Sequence, residues 1–236
     1  AKIIAIASGG KLIARARRDG VPHLLVPAGF PPRAAVGYLF FVPYILLRRL
    51  VHLGLKKDEF QEMLRTLRML KAKKMGPEVP VSRNLAKRLA LRLYGNLPAI
   101  HGSVRIDTVV TRWRTQIAEN SKQLSWSHFY PELNHNEIVG WREPKSLFRH
   151  LVILLLRDEA DGKQVQKRMD ITTRLIRQET RVETVTVRSS GRALLSRLFS
   201  LIYIGDFVSF YLGILNRVDP TPVERIERLK KELARR

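Results

Sequence analysis

The sequence predicts an α/β protein whose parallel sheets are doubly wound and flanked by helices, arranged as one complete domain and one truncated domain. Three observations lead there. Short apolar runs alternate with longer helical patterns, the rhythm that sets consecutive strands parallel with crossover helices between them. Between residues 84 and 217 this rhythm supplies four strands, enough for a small doubly wound domain. Ahead of them it supplies only two, and two strands do not make a stable domain alone. The length of 236 residues agrees, at roughly one and a half domains of about 150 residues each.

Lys2–Ala7, KIIAIA, reads as a short buried strand. Ser8-Gly9-Gly10 is a turn, and Lys11–Arg18 makes two helical turns. Pro22–Val26 is a second apolar strand. The loop PAGFPPR then leads to a long apolar helix from about Arg33 to His52. In 58–73, Phe60, Met63, Leu64, Leu67 and Leu70 recur at helical spacing, with acids early and bases late as the helix dipole favours. The Pro- and Gly-containing stretch from Gly76 is a linker, 76–83.

The second series runs helix 84–93, strand 97–100, helix 105–120, strand 124–130, helix 134–140 and strand 150–156, the most continuously apolar of the chain. Helix 162–177, the Val/Thr-alternating strand 182–187, an apolar helix 191–216 and a charged helix 222–235 complete it. The domains expected are therefore 1–75 and 84–236. The stretches 22–52 and 182–216 share a strand-then-long-apolar-helix plan, which suggests two related halves, the first truncated.

Composition narrows the function. The chain has no cysteine, which excludes a disulfide scaffold, a thiolate zinc site and cysteine nucleophilic catalysis. Its 43 basic residues outnumber 21 acidic ones, for a net charge of +22, an excess that attracts polyanions or phosphorylated metabolites. The basic residues are spread along the chain, and no nucleic-acid motif accompanies them. No signal peptide is visible, and the chain begins at Ala1 as if its natural start were absent. The apolar stretch Ala34–Leu47 is shorter than the ~20 residues of a spanning helix, contains Pro43 and ends at Arg48-Arg49, so no membrane segment is expected.

Walker A, GxGxxG, HExxH and GxSxG motifs are absent. Six scattered histidines, with His128 and His135 the nearest pair, support metal binding weakly. Three features carry chemistry. Glu119-Asn120 closes a helix, where the dipole raises the basicity of a carboxylate and suits a proton-abstracting base; a solvated surface glutamate is the plainer alternative. Pro131–Glu137, PELNHNE, follows a strand, where parallel α/β sheets bind ligands, and His135 there can move a proton near neutral pH. An ordinary capping loop is the alternative. Pro31-Pro32-Arg33 sets a guanidinium in the first turn of a helix, where a phosphate would meet both it and free N–H groups, or where it is one surface arginine of many.

In this order these features resemble the bifunctional phosphoglucose/phosphomannose isomerase family, enzymes with two sugar-isomerase (SIS) domains. The similar stretches are KIIAIASGGKL, GVPHLLVPAGFPPRAAVGYL, AENSKQLSWSHFYPELNHNEIVGW and DPTPVERIERLKKEL, spread over nearly the whole chain. The resemblance implies SIS-type sheets and the interconversion of glucose 6-phosphate or mannose 6-phosphate with fructose 6-phosphate. Glu119 would be the base of a Glu-Asn pair, and His135, sixteen residues on in a His-Asn pair, would open the sugar ring. Arg33 and Lys230 would bind substrate. The arginine-rich, cysteine-free composition fits a thermophile, and the resemblance further implies a cytoplasmic enzyme of carbohydrate metabolism. It would use no metal or organic cofactor, and would form a homodimer in which His135 reaches the other subunit's site. The family's phosphate-binding Ser/Thr turn lies in the first half of the first SIS domain, ahead of Ala1, so weak turnover is expected of residues 1–236 alone. An inactive remnant and a non-catalytic polyanion binder are the competing readings.

Overall fold

The computed structural model describes residues 3–52 and 56–235; Lys2 of the first expected strand lies outside them. The chain divides into two compact units, Ala1–Leu55 and Lys56–Arg236.

In the first unit, β1 (Ala5–Ala7) and β2 (His23–Leu25) pair in parallel, with Ala5 opposite His23 and Ala7 opposite Leu25. Between them α1 (Gly10–Arg18) buries Ile13 and Ala16. Gly10 opens it at φ 73°, a left-handed conformation that glycine adopts without penalty. The long apolar helix begins later than its composition suggests. Pro32–Ala34 wind as a 3₁₀ turn, and α2 (Val36–Leu50) follows, running through Pro43. None of its residues is buried, and Leu39, Leu47 and Leu50 are each more than half exposed.

The second unit is built on a four-stranded parallel sheet in the order β4-β3-β5-β6. Its strands are β3 (Leu97–Ser103), β4 (Trp126–Tyr130), β5 (Leu151–Arg157) and β6 (Glu183–Arg188), the four that the sequence predicts. Every residue of β5 is buried. Val152, Leu154 and Leu156 enter one core and Leu151, Ile153 and Leu155 the opposite side. A strand covered on both faces has no polar face to alternate with, which explains the unbroken apolar run.

The larger core lies between the sheet and α4 (Leu85–Leu93), α5 (Asp107–Ser121) and α8 (Leu194–Leu215). On the other face α7 (Lys163–Thr180) contributes Met169 and Ile176, and Trp141, just after α6 (Glu137–Gly140), joins it. By length and composition α8 could cross a membrane. Here it is a core helix, with Leu201, Ile204, Val208 and Leu212 buried against its neighbours.

Helix α3 (Lys57–Leu70), which the sequence groups with the first domain, packs on α8. Its Glu62 carboxylate accepts from Arg192 N (2.6 Å) and Ala193 N (3.0 Å) at the start of α8. These N–H groups hold Glu62 below the usual carboxylate range. The following stretch is fastened down: Tyr211 Oη donates to Met75 O at 2.7 Å, and Asn84 Nδ2 to Gly76 O at 2.9 Å. Asn84 also caps α4, accepting from Lys87 N.

Candidate active site

Glu119 stands in the last turn of α5, half-buried. Close packing on α8 fixes that helix. Trp113 Nε1 donates to Leu201 O at 2.9 Å, and Gly205 leaves room for the ring: a Cβ there would lie 2.5 Å from Trp113 Nε1. Arg112 grips Asp206 of α8 through Nε (3.2 Å) and Nη2 (2.9 Å), and Gln116 Nε2 adds a bond of 2.7 Å. Beside Glu119, Asn120 Nδ2 donates to Ser209 Oγ at 2.9 Å. The helix ends at Lys122, in the left-handed region at φ 54°. Its ammonium donates to Glu119 O and to Pro222 O, both at 2.7 Å.

His135 lies beyond the far end of β4. A 3₁₀ turn, Glu132–Asn134, and a short α6 replace the single helix expected over 134–140. The reason is local: Asn136 caps Glu137 N through Oδ1 (2.6 Å) and donates Nδ2 to Glu132 Oε1 (3.0 Å), so the helix starts only at Glu137. Asn134 Nδ2 ties the turn to Thr172 Oγ1 of α7 at 2.7 Å. His135 itself is exposed, and among the described residues its ring makes no hydrogen bond.

Within one chain these two residues are not neighbours. The segment after α5 sits where the strands begin, since Gln123 Nε2 donates to Leu93 O and Asn96 O just before β3. His135 follows the carboxyl end of β4. The five residues of β4 separate the two edges by about 17 Å at ~3.3 Å per residue.

Arg33 lies in the 3₁₀ turn ahead of α2, half-buried, in the first unit. Lys230 is exposed on α9 (Glu224–Leu233), a helix with no buried residue. Lys122, through Pro222, ties the lead-in to α9 to the end of α5.

The sequence did not single out Glu137, His101 or Trp141. His101, fully buried in β3, pairs in register with His128 of β4. His101 Nε2 approaches Glu137 Oε1 to 2.7 Å and His128 Nδ1 lies 3.1 Å from Oε2. Trp141 Nε1 donates to Oε1 at 3.2 Å. Burial, the largest single influence, pushes the Glu137 carboxyl up, but the two histidines together hold it below its ordinary value. Among the described residues no group of three such side chains is arranged to hold a metal ion. The one available signal was a histidine inside the apolar strand Ile100-His101-Gly102.

Between β3 and β5, where the strand order reverses, parallel sheets open a ligand crevice. Past the carboxyl ends of these strands the chain's own polar groups bond one another. Ser103 Oγ donates to Asp161 Oδ1 at 2.5 Å, and Ser189 Oγ and Arg197 Nε both donate to Asp158 Oδ1, at 2.9 and 2.7 Å.

Residues 82–233 match the family model of the bacterial phospho-glucose isomerase C-terminal SIS domain. The chain is 45% identical, over 99% of its own length and 69% of the relative's, to the bifunctional phosphoglucose/phosphomannose isomerase of Caldicellulosiruptor bescii. It is 34% identical, over 98% and 68%, to the enzyme of the same name from Aquifex aeolicus. Among solved structures it is similar to a glucose-6-phosphate isomerase like protein from Thermus thermophilus, with a TM-score of 0.61 at 21% identity over 97% of this chain and 86% of that one. At that identity the likeness is one of fold.

Proposed function

The chain belongs to the bifunctional phosphoglucose/phosphomannose isomerase family, and from that premise we propose that it interconverts glucose 6-phosphate or mannose 6-phosphate with fructose 6-phosphate, with Glu119 and His135 of two different subunits in one site. His135 protonates the ring oxygen while the anomeric hydroxyl gives up its proton to water, and the sugar opens to the aldehyde. The Glu119 carboxylate takes the C2 proton, an enediolate forms, and the same proton is returned to C1, while the proton on the C2 oxygen passes to the C1 oxygen. One base then serves both epimers at C2, because both give the same enediolate. Lys230 stabilises its negative charge, the type of help that is often the largest catalytic contribution, and Arg33 is the further substrate-binding cation that the resemblance implies.

The observation that carries the site is the placement of Glu119 and His135 at opposite edges of one sheet. A base and a ring-opening acid must both be within hydrogen-bond reach of one sugar. Two edges about 17 Å apart meet that demand only when a second copy presents the other edge, as in a two-fold homodimer. Phosphorylated sugars carry about two charges near neutral pH and do not pass an apolar layer unaided, so the enzyme is expected in the cytoplasm.

The test is Glu119→Gln in a protein that includes the family's phosphate-binding turn as well as residues 1–236 (the full chain below), assayed with both aldose phosphates. The expected result is loss of both activities, by roughly 100- to 10,000-fold, the usual worth of a general base. Loss of the mannose 6-phosphate reaction alone would rule out a shared base.

A further inference from the structure

We infer that Glu137, clamped between His101 and His128, is a positioning residue that holds the backbone of His135 in place for ring opening; this rests on the assignment of His135 above. Three groups converge on the Glu137 carboxylate from separate places: His101 from β3, His128 from β4, and Trp141 from the end of α6. The ring of His101 is itself wedged edge-on against Tyr130 and Trp141, with both centroids 6.3 Å away. A carboxylate this enclosed is costly unless its partners are in place, so Glu137 occupies one position relative to the sheet.

Glu137 is also the first residue of α6, two residues after His135. Its N–H is capped by Asn136, Asn136 is bonded to Glu132, His135 N donates to Glu132 O at 2.9 Å, and Asn134 is bonded to α7. The turn is thus pinned on both sides of His135, whose ring is exposed. A fixed mount under a free side chain is what a proton donor needs when it must meet a sugar held by another subunit. Displacement of a reacting group by about 1 Å can cost ~100-fold.

A kinetic double-mutant cycle in the full chain tests this. Glu137→Gln should lower kcat/KM roughly 10- to 100-fold through kcat, with KM for glucose 6-phosphate little changed and the circular dichroism spectrum retained. In a His135→Ala background the same substitution should add less than about two-fold, because it acts only through His135. His128→Ala, which removes the more exposed of the two histidines, repeats the cycle with a smaller effect and decides the matter if Glu137→Gln does not fold. If either substitution slows the His135→Ala protein as much as it slows the wild type, or if both leave the wild type within two-fold, the inference is overturned and the role of His135 stands. A His135→Ala protein with full turnover overturns the assignment of His135 and this inference with it.

Discussion

The ammonium of Lys122 donates to the carbonyl of Pro222 at 2.7 Å, and so joins the end of α5 to the lead-in of α9. Glu119 and Lys230, more than a hundred residues apart in sequence, lie on the two elements so joined. Lys122→Gly keeps the left-handed cap, which glycine tolerates, and deletes the tie. The expected outcome is faster amide hydrogen exchange over 222–233 and a stability loss of about 1 kcal/mol, the net worth of such bonds. Unchanged exchange in α9 would show that Pro222 is held by other means.

Helices α5 and α8 approach closely where positions 205 and 213 are glycine. Gly205→Ala places a methyl group 2.5 Å from Trp113 Nε1, and overpacking of this kind costs ~1–3 kcal/mol. Thermal melting should show the loss. Gly37→Ala, inside α2 where an added Cβ meets nothing within 4 Å, should show no such loss.

Two half-buried carboxylates should give stability opposite slopes with pH. Glu137 is held below its ordinary value, so its contribution is full above the unfolded glutamate pKa and is lost as pH falls through the lower folded one. The destabilisation by Glu137→Gln should therefore shrink in acid. Burial pushes Asp206 up, against Arg112 and Gln116. Its contribution is full below the unfolded aspartate pKa and is lost as pH rises through the folded one. Relative to wild type, Asp206→Asn should fare better at neutral pH than at pH 3. Denaturant titrations across that range read both signs.

Much of the second unit was legible in the sequence for physical reasons. The LVILLL run of β5 is apolar because both faces are covered, and amphipathic spacing marked α3. The domain to which α3 belongs was not legible, since a stripe of Met63 and Leu70 records that a face is buried but not against what. The start of α6 was missed because Asn136 caps Glu137 through its side chain. At the site, Glu119 and His135 were assigned by resemblance to the family's Glu-Asn and His-Asn pairs, whereas Glu137 could not be: His101 lies 36 residues away in sequence and meets it only through the register of β3 on β4.

The most direct measurement is subunit complementation. Glu119→Gln and His135→Ala proteins, each strongly impaired, are dissociated together and reassociated, and glucose 6-phosphate isomerisation is followed. If each site takes Glu119 from one subunit and His135 from its partner, a mixed dimer has one doubly defective site and one intact site. Random pairing in a two-fold dimer then restores about a quarter of wild-type activity. No recovery from a mixture in which mixed dimers have formed would contradict the shared site.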